Sequence, residues 1–255
     1  MSQLPVPGRD AVYVWVDRVT GGQPETTRRM VTRAAVTLLD RAPVTVWRDG
    51  QGRPRVRAGG VELPVSVSHV DGVVAVAACR HATVGVDVER RRPVPAQALA
   101  RRWFEPAAAT WVRGRPSPAE QADAFLLLWT AKEAVGKALG LGLRAGGLTR
   151  AVPLPAAADG TADPGGSGPL LRAVPGGAGT RVGHPDAGPE LVLAVAVVGP
   201  AREVVVLGPD RQVAVEQAGR AGHDVAARSA SVERTSLPVV VRGSWDSRRR
   251  TRGRL

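Results

Sequence analysis

Residues 83–89 read Thr-Val-Gly-Val-Asp-Val-Glu. Side chains alternate faces along a strand, so Val84, Val86 and Val88 share one face and Gly85, Asp87 and Glu89 the other. The valine face predicts burial. The opposite face sets two carboxylates side by side, about 7 Å apart at Cα by strand rise. No basic residue lies between them on that face. Such a pair needs a cation, solvent or a raised pKa. All-oxygen ligands suit a hard ion such as Mg²⁺, which takes one or two carboxylates together with substrate phosphates. A solvated sheet edge, with Glu89 paired to Arg90 or Arg91, satisfies the same pattern.

Moving outward, residues 64–79 predict a strand, a turn at Asp71-Gly72 and a second strand. With 83–89 they suggest a three-stranded antiparallel meander. Upstream, 11–17 alternate as a strand, and 27–41 form an amphipathic helix with Met30, Val31, Ala34 and Leu38 on one side. Residues 44–56 are strand-like around an Asp49-Gly50 turn. Downstream, a helix covers 96–103. Ser117-Pro118-Ala119-Glu120 is a capping box with Pro at the first helical position. It starts a long helix that ends near Leu139, with Gly140 as the stop. Residues 156–190 are rich in Gly, Pro and Ala and predict a loop; 191–199 and 203–208 suggest a closing hairpin. The fold class is α+β, in two similar-sized halves at 1–92 and 93–208, followed by an Arg-rich tail at 209–255 expected to be disordered.

Composition agrees with a soluble chain. Of 255 residues, 44% are hydrophobic, enough for a sizeable core. The single cysteine, Cys79, permits no internal disulfide and fits a reducing cytoplasm. The first ten residues lack a signal-peptide pattern, and the apolar run 191–198 is too short to span a bilayer. Net charge is +12, which points to an anionic partner. Residues 211–255 hold ten arginines against four acidic residues, so half the excess sits in the tail. A basic nucleic-acid-binding protein is therefore one alternative. The body, however, shows no nucleic-acid motif and no aromatic stacking platform.

Three further groups carry candidate chemistry. The long helix contains Trp129-Thr-Ala-Lys-Glu133-Ala-Val-Gly136-Lys137. Glu133 and Lys137 are four residues apart and can form an ordinary helix salt bridge. Gly136 costs about 1 kcal/mol in a helix interior, which makes sense if a ligand or another backbone comes close. Glu133 is then a candidate third metal ligand or general base, and Lys137 a phosphate contact. Ser68-His69 ends a strand. His69 has no zinc spacing with the other histidines or Cys79 and suits hydrogen bonding to a phosphate oxygen. Arg28, Arg29, Arg33 and Arg53 are basic candidates that also fit solvated surface positions.

Taken in order, Gly52-Arg53-Pro54, Val67-Ser68-His69, Gly85-Val86-Asp87-Val88-Glu89 and Trp129 to Lys137 resemble the motifs of the Sfp-type (surfactin-type) 4′-phosphopantetheinyl transferases. Ala100 to Phe104 is similar to that family's basic–aromatic helix end, and the resemblance covers about residues 10–207. It implies two α/β halves related by pseudo-two-fold symmetry, with the active site between them, in a monomer. It implies transfer of phosphopantetheine from coenzyme A to a serine of an apo acyl- or peptidyl-carrier protein. Asp87, Glu89 and Glu133 would hold Mg²⁺. Glu133 would take the serine proton, directly or through a water. Lys137 and His69 would neutralise the diphosphate, Arg53 and Ser68 would hold the nucleotide, and Arg29 (Arg28 less so) its 3′-phosphate. A relative that binds carriers without catalysis is a further alternative, which the intact acidic set argues against. Two positions depart from the family pattern: Val65-Ser66 stands where many members have Phe-Asn, and Gly140-Leu141-Gly142 where many have Lys-Gly.

Overall fold

A computed structural model describes residues 11–142, 149–155, 171–207 and 214–216. It is an α+β structure with four helices and three sheets among these residues. Strand β1 (Ala11–Arg18) leads through helix α1 (Gln23–Leu39) to a small antiparallel sheet of β2 (Val44–Arg48), β3 (Pro54–Ala58) and β4 (Val61–Leu63). Strands β5 (Val65–Val70), β6 (Val73–Ala78) and β7 (Thr83–Arg90) follow. Next come α2 (Ala96–Trp103), α3 (Pro106–Arg113) and α4 (Pro118–Ala138). The chain closes with β8 (Arg172–Ala173), β9 (Thr180–Gly183), β10 (Leu191–Val198), β11 (Glu203–Leu207) and β12 (Ala214–Glu216).

The two main sheets have orders β12-β11-β1-β6-β5 and β7-β10-β9-β8. They face each other across an apolar core of Val12, Val14, Ala75 and Ala77 from one, and Val86, Val88 and Val195 from the other. The alternation expected of residues 83–89 holds: the valines fill this core, while Gly85 faces α4. Helix α1 and the small sheet cover the outer face of the first sheet through Val31, Ala34 and Val56. Helices α2, α3 and α4 cover the outer face of the second, against Val192, Ala194 and Ala196. The order is helix, sheet, sheet, helix.

Strand pairing departs from the expected local pattern in two places. Strands β5 and β6 pair, but β7 leaves the meander and pairs antiparallel with β10. Strands β10 and β11 form no hairpin; β11 crosses over and runs parallel to β1. Both departures have one cause. Every β10 residue from Val192 to Val197 is buried, so that strand needs cover on both faces and both edges, which a two-stranded hairpin would not supply. Of the tail, 214–216 is a strand paired to β11; the rest of 209–255, and residues 156–170 of the loop expected at 156–190, lie outside the described residues. The described part of that stretch is not all loop, because β8 and β9 lie within it and extend the sheet beside β10. No described helix is long and apolar enough to cross a membrane.

Helix α4 starts as expected. Ser117 Oγ accepts the Glu120 backbone N–H at 3.2 Å and donates to the Glu120 carboxylate at 2.9 Å. Such a cap contributes about 1 kcal/mol. Helix α3 is an element the sequence reading lacks; Pro106 opens it.

Candidate functional site

The site forms where β5, β7 and α4 meet. Gly85 lets this happen. A Cβ there would lie 1.9 Å from the Ala134 carbonyl oxygen and 2.6 Å from the Ala138 nitrogen, so α4 rests directly on the β7 backbone. Two residues along the same face is Asp87, buried at 6% exposure, and then Glu89.

Lys137 does not pair with Glu133 along the helix. It reaches across to β7, where its ammonium donates to Asp87 Oδ1 at 2.8 Å and to the Val86 carbonyl at 3.0 Å. Ser68 donates to the same Asp87 oxygen at 2.7 Å. Glu89 pairs with Arg92 at 3.4 Å, whereas Arg90 and Arg91 turn to Glu190 and Asp123. The Trp129 side chain favours the charged form of Glu89, so the first residue of the helix motif acts on a carboxylate of the strand motif.

The three carboxylates act on one another. Burial pushes Glu133 up to about 7, and the neighbouring Asp87 and Glu89 charges add to the rise while Lys137 opposes it. Glu89 is raised by burial and then by Asp87. Burial, then the nearby Lys137 and Arg48 charges, hold His69 below the usual imidazole value; a neutral imidazole at neutral pH follows. Among the described residues, no group of three or more acidic, histidine or cysteine side chains is placed closely enough to hold a metal ion as it stands. The donor set is all-oxygen and mutually repelling, with Asp87 buried and Glu89 and Glu133 half-buried, which is the chemistry that fits a hard divalent ion.

Six of the eight singled-out residues thus gather here: Ser68, His69, Asp87, Glu89, Glu133 and Lys137. Arg53 sits at the border. Its guanidinium lies 3.3 Å from Asp49 and donates to the Gly140 carbonyl at 3.3 Å, tying the β2–β3 turn to the exit of α4. Arg29 is further off. It donates to Thr20 at 2.9 Å and lies 3.4 Å from Asp17. Asp17 is aligned through Val74 with His69, two strands away, or about 10 Å. Gly136 meets a backbone rather than a ligand: its Cβ would lie 2.3 Å from the Gly142 carbonyl, and the Leu141 and Gly142 N–H groups bond to the Gly136 carbonyl.

Sequence reasoning missed Arg48, Trp129 and Ser66 as members of this neighbourhood. Arg48 lies in the same hairpin as Arg53 and its charge acts on His69. Ser66 accepts the Val86 backbone N–H at 3.1 Å, and its alternation with Ser68 on one face of β5 was the available signal.

No curated protein sequence matches the chain. The model of the 4′-phosphopantetheinyl transferase superfamily matches residues 83–162. That segment runs from β7 through α4, so the part of the chain similar to this superfamily is the part that supplies Asp87, Glu89, Glu133 and Lys137.

Proposed function

We propose that the protein transfers the 4′-phosphopantetheine group of coenzyme A to a serine hydroxyl of an apo acyl- or peptidyl-carrier protein, acting with Mg²⁺ as a cytoplasmic monomer built from two pseudo-symmetric halves. The observation that supports this best is the direct packing of α4 on β7 at Gly85, which sets Lys137 2.8 Å from Asp87, within the segment that matches the superfamily.

Asp87, Glu89 and Glu133 would hold the ion. When bound, it supplies positive charge to the diphosphate of coenzyme A and offsets the repulsion among the carboxylates. The chain's own residues do the rest. Glu133 would accept the serine proton, directly or through a water. The serine oxygen then forms a bond to the β-phosphorus. The bond from that phosphorus to the bridging oxygen breaks, and adenosine 3′,5′-bisphosphate leaves. Lys137 would offset the charge that builds on the leaving phosphate, and His69, as a neutral imidazole, would donate a hydrogen bond to it; such transfer depends on positioning and charge neutralisation more than on covalent chemistry. Arg53 would contact the nucleotide, and Arg29 its 3′-phosphate. The expected contact of Ser68 with the nucleotide competes with its bond to Asp87.

The test is mass spectrometry of an apo-carrier incubated with the protein, coenzyme A and Mg²⁺. A mass gain of one phosphopantetheine on the carrier serine is expected; an unchanged carrier, across fatty-acid, polyketide and peptide types, would sink the proposal. Asp87→Ala and Glu133→Ala should each lower transfer by about 10³-fold or more, with circular dichroism unchanged. Wild-type transfer by either purified variant would refute the site assignment.

A further inference from the structure

Strands β5 and β7 lie edge to edge in different sheets, and no backbone ladder joins them. Two serine hydroxyls bridge the seam instead. Ser66 Oγ accepts the Val86 N–H at 3.1 Å, and Ser68 Oγ accepts the Val88 N–H at 3.4 Å. Both serines are buried. Only Ser68 goes further, donating its proton to Asp87 Oδ1 at 2.7 Å.

A serine hydroxyl has one proton to give. Ser68 gives it to Asp87, so in this arrangement it has none for a phosphate oxygen. The second partner of that carboxylate oxygen is the Lys137 ammonium, at 2.8 Å. Among the described residues, both hydrogen bonds to the Asp87 carboxylate fall on Oδ1, and Oδ2 is left to other ligands. Lys137 sits on a long flexible stem and would be drawn away when a diphosphate enters. Ser68, short and held by the Val88 N–H, cannot follow. It is then the group that keeps the Asp87 side chain from rotating.

We propose that Ser68 is a positioning residue, which locks one oxygen of Asp87 and reserves the other for the divalent cation, rather than a nucleotide ligand. This rests on the function proposed above. Ser66 provides the matched control: it belongs to the same strand, face and seam, and accepts the same kind of N–H, but touches no carboxylate.

The full chain would be titrated with Mn²⁺ alone, followed by electron paramagnetic resonance of the free ion, and melted in parallel; steady-state kinetics would then separate kcat from the KM for coenzyme A. Losing a hydrogen bond to a charged group should weaken Mn²⁺ binding and lower kcat in Ser68→Ala by roughly tenfold each, with KM for coenzyme A little changed. Ser66→Ala should lower the melting temperature by a similar amount yet bind Mn²⁺ within about twofold of wild type by the same reasoning. Ser68→Thr, which restores the hydroxyl, should recover most of the loss and covers the case in which the alanine variant folds poorly. Wild-type Mn²⁺ affinity in Ser68→Ala, or a loss confined to KM for coenzyme A, would overturn the inference while leaving the proposed function standing. A wild-type protein that neither bound Mn²⁺ nor modified a carrier would overturn the function itself.

Discussion

Glu133 is the residue where burial and charge act most strongly together. Its carboxyl is held up to about 7, against an ordinary 4.5, by burial first and by Asp87 second. Between those values the folded chain binds more protons than the unfolded one, so metal-free stability falls as pH rises from about 4.5 to 7. Discounted for partial exposure, the loss is about 2 kcal/mol. Glu133→Gln should therefore melt higher than wild type near pH 8 without divalent ions, while failing in transfer. A flat difference between the two from pH 5 to 8 would contradict the burial argument. His184 works in the opposite sense. Its Nε2–H donates to the Leu127 carbonyl at 2.8 Å, and burial pushes the imidazole down to about 4. The unfolded chain binds the extra proton below about 6.5, so this contribution is full above that pH and is lost on acidification. In a Glu133→Gln background, lowering the pH to about 5 should cost on the order of 2 kcal/mol. His184→Gln, which keeps a donor at the same reach, should remove that dependence in urea titrations. Neither shift was legible in the sequence. Charge type and spacing were, but burial depth depends on which elements cover a residue.

At the scale of elements, α4 and β7 are the pair that matters, and the sequence showed each of them well. The period-2 pattern of 83–89 and the Ser117 cap are local signals, and both led to the right element. Their contact was not local. Gly85 carries it, and a glycine in a strand tells only that something comes close. Here it is the Ala134 carbonyl, 1.9 Å from where a Cβ would sit. Gly85→Ala must push α4 off the strand, separating Glu133 and Lys137 from Asp87. The expected outcome is destabilisation of about 3 kcal/mol or more, together with loss of Mn²⁺ binding; a variant with wild-type melting would show that helix and strand are not in direct backbone contact. Gly136 makes the complementary point. Its helix-interior cost was visible, and the expectation of a close neighbour was right in its backbone form, since the exit turn at Gly142 folds back onto it. The sheet to which each strand belongs was the illegible part. The sequence places 83–89 beside 73–78, but burial of both faces of β10 draws β7 into the second sheet.

For the whole molecule, the consequence of this pairing is that neither half is self-contained. The division at 92/93 cuts the chain where charge and motif change, yet β7 from the first stretch completes the second sheet, and β11 from the second stretch joins the first sheet beside β1. Val204 of β11 enters the core between the sheets, while Val205 and Leu207 enter the core under α1. Three buried side chains in two cores make β11 a clamp on both, so the two sheets should melt together as one cooperative unit. Two deletions separate this clamp from the basic tail. Removing 218–255 takes away nine arginines and three acidic residues but none of the core described above, so melting temperature and transfer should be unchanged; any salt-dependent retention of DNA should disappear with it, because such binding scales with basic charge. Removing 203–255 takes β11 as well. At about 1.5–3 kcal/mol per buried aliphatic side chain, the three lost residues exceed half of a typical domain's stability, and the shorter chain should be unfolded or aggregated. A chain ending at 202 that melted cooperatively near the full-length temperature would show that β11 decorates the first sheet rather than holding the two sheets together.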